Sequence, residues 1–136
     1  MIRPVIKDTF ILSRPSVKAG KEDIQTAIDL RDTLAANREI CVGMAANMIG
    51  VSKRIIAVAV FSSILIMFNP VIVSKKGPYS TEEGCLSLSG MRPTTRYKTV
   101  TVRFTDMTFT EKTMVFSGSA AQIIQHECDH LEGILI

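Results

Sequence analysis

A chain of 136 residues fits one domain, positions 1–136, long enough to bury a core and too short for two ordinary ones. Hydrophobic residues make up 46% and charged residues 21%, near the soluble globular average, which excludes a disordered chain. The net charge of +3 comes from scattered Lys and Arg with no run longer than Lys75-Lys76, which argues against a basic patch for nucleic acid. Pro4, Asp8 and Arg14 interrupt the N-terminal MIRPVIKDTFILSRPS, so it lacks the continuous apolar region of a secretory signal. The longest apolar stretch, 55–68, is broken by Ser62-Ser63 and falls short of the roughly 18 to 20 residues of a spanning helix. A cytoplasmic protein with no membrane partner is expected. The three cysteines Cys41, Cys85 and Cys128 are odd in number and follow no framework spacing, which favours thiols or a metal ligand over disulfides.

In chain order, the first predicted element is an amphipathic helix over 21–38, where Ile24, Ala27, Ile28, Leu34 and Ala35 recur at helical spacing. Segments 54–60 and 64–68 are short and β-branched and read as adjacent buried strands, with Asn69-Pro70 opening an extended segment through Val73. Lys75-Lys76-Gly77-Pro78 reads as a turn. Residues 97–104 alternate, placing Val100, Val102 and Phe104 on one face, and 112–116 can pair with them across 106–111, as a second sheet or a continuation of the first. A last helix is expected to begin at Ser119, where Ser119 to Gln122 matches a capping box, and to stop at Gly133. No repeat or linker divides the chain.

That last helix carries QHECDH, residues 125–130, with both histidines of the protein. His126 and His130 are one turn apart on one face, and Glu127 lies beside the first, the HExxH arrangement in which two neutral imidazoles bind a divalent ion. The carboxylate then serves as base toward water activated by that ion. A hydrolytic centre needs a third protein ligand. Only 131–136 follow the motif, and Glu132 is too near His130 on the helix, so the third ligand must lie upstream. Cys85, in EEGCLS, is a candidate as a thiolate or else a small buried hydrophobe. Asp129 reads as a hydrogen-bond partner of the site or as a surface carboxylate, and Cys128 points away from His126.

Taken in order, CVGMAANM (41–48), EGCLS and QHECDHLEG resemble the three signature motifs of the peptide deformylase family, a similarity spanning 41–133. The resemblance implies an α+β fold with antiparallel sheets packed around a central C-terminal HExxH helix and an N-terminal amphipathic helix. It assigns Cys85, His126 and His130 as metal ligands and Glu127 as general acid/base, around one divalent ion: Fe2+ in the native enzyme, replaceable by Zn2+, Ni2+ or cobalt. The implied reaction removes the formyl group from the N-terminal formyl-methionine of nascent chains, so the partner is an N-formylated peptide, met at the ribosome or free of it. The backbone N–H of Leu86 becomes an oxyanion donor, and Met48 stands where the family's glutamine supplies a second one. A thioether has no proton to donate. Val42, Gly43, Arg92, Ser119, Gln122 and Ile123 fall to the substrate side, with Ser119 and Gln122 where the family carries apolar residues. Arg92 and Arg96 read as binders of a peptide carbonyl or carboxylate, or as plain surface charge. The alternative, for which Met48 is the evidence, is a deformylase-like protein that holds metal and peptide with weak or no catalysis.

Overall fold

The computed structural model describes residues 1–136 apart from Phe61, Leu86 and Ile136 and the side chain of Leu88. A short helix α1 (Thr9–Leu12) precedes a 3-10 turn (Lys21–Asp23) that runs directly into α2 (Ile24–Ala36), the amphipathic helix expected from the spacing. Strand β1 (Gly43–Ala45) leads through a second 3-10 turn (Ala46–Ile49) to β2 (Ile55–Val60), β3 (Ser63–Cys85), β4 (Leu88–Thr105), β5 (Glu111–Ser117) and finally α3 (Gly118–Leu131). The five strands form one antiparallel sheet in chain order, so 97–104 and 112–116 continue the first sheet rather than start another.

The continuous apolar reading of β2 has a simple cause. Ile55 and Ala57 pack with Leu30 and Leu34 of α2, while Ile56 and Val58 pack with Ala121, Ile124 and Leu131 of α3. Alternating side chains point to opposite faces of a strand, and here both faces are covered, so every position is apolar. Val100, Val102 and Phe104 lie on the α3 side together, as their alternation predicts.

Two expectations fail. Residues 75–78 are not a turn: Lys75, Lys76 and Pro78 pair with Val100, Thr99 and Tyr97 inside β3. Beyond Phe68 the described ladder of β3 runs on β4 alone, so proline sits on an edge strand where it is tolerated, and Gly77 takes φ +73 without leaving the ladder. The helix also starts one residue before Ser119 and without the capping box. Ser117 is the N-cap, with no side-chain cap bond, and its hydroxyl pairs with that of Thr99 at 3.2 Å. The other end is as expected. Gly133 (φ +77) donates to His130 O and Ile134 to Asp129 O, the paired bonds of a left-handed glycine stop. A side chain at 133 would also collide with the Ser13 backbone.

Candidate metal centre

Three elements meet around the HExxH motif. Cys85 ends β3 after a register shift between Gly84 and Cys85 that re-aims the strand. His126 and His130 project from α3, and one ligand atom from each of the three residues lies within 4.8 Å of the other two. The imidazole Nε2 atoms are 3.2 Å apart. Nitrogens this close cannot both carry a proton: burial and the neighbouring His126 push His130 down to about 4. Burial alone would lower His126 too, but hydrogen bonds to Cys85 and Glu83 outweigh it and push it up to about 10. The two Nε2 atoms and the Cys85 sulfur thus face one point between the rings. Thiolate and imidazole donors converging on that point fit a borderline divalent cation such as zinc or ferrous iron.

His126 is held from behind by Glu83, whose Oε1 lies 2.8 Å from Nδ1. That fixes the ring with Nε2 facing Cys85 and His130, the usual support of a metal-binding histidine. The same carboxylate accepts from Arg96 Nε and Nη2 (2.7–3.1 Å) and from Gln122 Nε2 (2.9 Å), and Arg96 Nη1 reaches Asp129 at 2.6 Å. Burial would raise Glu83, but the bonds from His126, Arg96 and Gln122 prevail and hold it at about 2. Arg96 is only 4% exposed, so it is neither surface charge nor a substrate arm: it is the buried centre of an ion network. Asp129 proves to be a partner of that network. Glu83 escaped the sequence reading, although a carboxylate two residues before a strand ligand was its available signal.

Glu127 sits opposite. It is 4% exposed, its Oε1 has no hydrogen-bond partner among the described residues, and burial pushes its carboxyl up to about 7. Gly43 of β1 lets α3 approach this closely, since a side chain there would meet Ile123 and the Glu127 carboxylate. A cavity of about 570 Å3 opens over Cys85, His126 and Glu127 and is walled by Val42, Gly43, Ser119, Gln122 and Ile123, with Arg38 and Cys41 at its edge. Of the substrate-side residues read from sequence, Arg92 is not among its walls: its guanidinium binds Ser89 O at 3.2 Å. Leu86 lies outside the described residues. Met48 is buried in the core, its Sδ accepting the Ala45 N–H at 3.4 Å, and does not line the cavity. Cys41 and Cys128 are pushed up to about 11 and about 12, chiefly by burial, and are thiols rather than thiolates.

Three convergent donor side chains, of which Cys85 and His126 line a cavity, with a desolvated carboxylate there instead of a fourth donor, match the layout of a metallohydrolase rather than that of a closed structural metal site. The polypeptide deformylase family model matches residues 7–136, and the chain belongs to that family. It is 54% identical over 136 residues to a peptide deformylase of Clostridium beijerinckii, covering 100% of both chains. It is 41% identical over 114 residues to one of Pelotomaculum thermopropionicum, covering 82% of this chain and 74% of that one. An actinonin-bound class I type b peptide deformylase of Acinetobacter baumannii superposes with a TM-score of 0.88 at 32% identity, over 99% of this chain and 95% of the other. The same enzyme bound to Met-Ala-Ser also gives 0.88, at 30% identity over 99% and 97%.

Proposed function

We propose that the chain is a metal-dependent peptide deformylase, removing the formyl group from the N-terminal formyl-methionine of nascent polypeptides. Cys85, His126 and His130 hold one divalent cation, ferrous iron in the native enzyme and zinc or nickel as replacements. When bound, that cation supplies Lewis acidity toward the formyl carbonyl and water. Glu127 moves the proton: it takes it from the attacking water and gives it to the leaving amine nitrogen, so that formate and a free amine are released. A carboxyl raised to about 7 is suited to both halves of that transfer near neutral pH. The backbone N–H of Leu86 stabilises the oxyanion, and Met48 leaves the second donor position without a proton.

The observation that carries this reading is the unpartnered, desolvated Glu127 carboxyl next to the convergent Cys85, His126 and His130 donors, on a cavity open to a peptide end. The full-length 54% identity to a protein named peptide deformylase favours catalysis over mere metal and peptide storage. Val42, Gly43, Ser119, Gln122 and Ile123 receive the first residue of the substrate. The 136 residues act as one domain, in the cytoplasm where nascent chains are made; among the described residues no helix is long and apolar enough to cross a membrane. The test is metal analysis of protein purified without oxygen, followed by release of formate from a formyl-Met peptide. Stoichiometric metal with turnover is expected, and protein without metal, or metal-loaded protein without turnover, overturns the reading.

A further inference from the structure

Gln122 and His126 are one helical turn apart on α3, on the same face, and Glu83 of β3 bridges them. Gln122 Nε2 donates to Glu83 Oε2 at 2.9 Å, while Glu83 Oε1 meets His126 Nδ1 at 2.8 Å. Arg96 also binds both oxygens, but from β4, so the guanidinium and the amide grip the carboxylate from two different elements. Gln122 is at the same time a wall of the cavity, next to Ile123 and Ser119. One side chain therefore touches both the space for substrate and the carboxylate behind a ligand.

We propose that Gln122 is a positioning residue that ties the substrate pocket to the metal centre: its amide fixes Glu83, and through Glu83 the ring of His126. The proposal rests on the Cys85/His126/His130 reading above. With one N–H committed to Glu83, the amide keeps its carbonyl oxygen and its second N–H for the pocket, so a first residue that pulls the amide toward itself loosens the support of His126. Support of a ligand by such partners typically governs metal affinity by about 10- to 100-fold, and one contributing donor accounts for a few-fold share of it.

The experiment uses full-length, zinc-loaded protein and follows zinc release to an excess of chelator without substrate, alongside kcat and KM for formyl-Met and formyl-norleucine peptides. Gln122→Met keeps the bulk and removes the donor; Gln122→Leu replaces it if that variant does not fold. Release is expected to quicken about 3- to 10-fold in Q122M on the wild-type background. In a Glu83→Gln background the same substitution should add no further change, because its route runs through the Glu83 carboxylate. If Q122M alters KM but leaves zinc release unchanged, Gln122 is only a pocket wall and the proposal fails. An equal acceleration in both backgrounds overturns it as well. A wild type that binds no zinc removes the metal reading itself, and the proposal with it, which separates that failure from the other two.

Discussion

The two walls of the cavity are built on opposite plans. On the α3 side, the Glu83 carboxylate is gripped by Arg96, Gln122 and His126, and Arg96 in turn holds Asp129. On the β1 side, the chain from Cys41 to Met48 turns its polar atoms inward on itself: the Cys41 thiol donates to Gly43 O at 2.9 Å and Met48 sulfur accepts from Ala45. One wall is tied together by a charged network and the other by a thiol and a thioether bonded to nearby backbone. The contrast separates two tasks that the proposed function assigns to different walls, holding an ion and stabilising a developing oxyanion.

The contrast can be broken first at Glu127, which stands between the walls. Glu127→Gln should retain zinc and fold normally while the rate of formate release falls roughly 100- to 10,000-fold, since general acid/base catalysis is worth that much. On the α3 wall, Glu83→Ala strands the buried Arg96 with Asp129 as its one remaining side-chain partner among the described residues. Urea titration should then show a loss of about 3 to 5 kcal/mol, and chelator competition a zinc affinity weaker by about 10- to 100-fold. On the β1 wall the sign reverses. Met48→Gln should raise kcat, by up to roughly 100-fold if the amide reaches the oxyanion, at a cost of about 1 to 3 kcal/mol for burying a polar group among Leu12, Ala46 and Ile55. An unchanged kcat in that variant would show that the β1 wall is not deficient at all.

The smallest effect lies away from both walls. Asp29, buried on α2, accepts from the Met1 amine, Gln25 and Arg3; bonds from the amine and Gln25 lead in holding it at about 2, against an ordinary 3.8. Its carboxylate is bound more tightly in the folded chain, so its stabilisation is full above pH 3.8 and is lost as pH falls toward 2. Because the amine is largely exposed and Arg3 nearly half exposed, the gain is on the order of 1 kcal/mol. Asp29→Asn should lower the urea midpoint at neutral pH and flatten its decline between pH 4 and 2, while zinc release stays as in the wild type.

Much of the centre was legible because its residues are few and locally patterned. His126, Glu127 and His130 follow from helical spacing, and Cys85 from the need for an upstream ligand together with its motif. The strands of 97–104 and 112–116 followed from alternation. What stayed hidden depends on partners distant in sequence. Glu83 and Arg96 look like surface charges until β3 and β4 pair and α3 closes over them. Lys75 to Pro78 carries strong turn residues, yet a long neighbouring strand overrode local preference and kept it extended. The start of α3 was missed by one residue because Ser117 spends its hydroxyl on Thr99 rather than on the helix.

The glycine stop at the end of α3 has a consequence for the order in which the molecule assembles. His130 O is capped by the Asn47 side chain at 2.8 Å, Leu131 O by Ser16 N at 2.7 Å, and Gly133 lies flush against Ser13. All three contacts join the last helix to segments more than 80 residues earlier, the kind of closure that forms slowly in a refolding chain. With His130 as one of the proposed ligands, zinc capture in a stopped-flow refolding experiment is expected to trail the burial of the sheet rather than precede it.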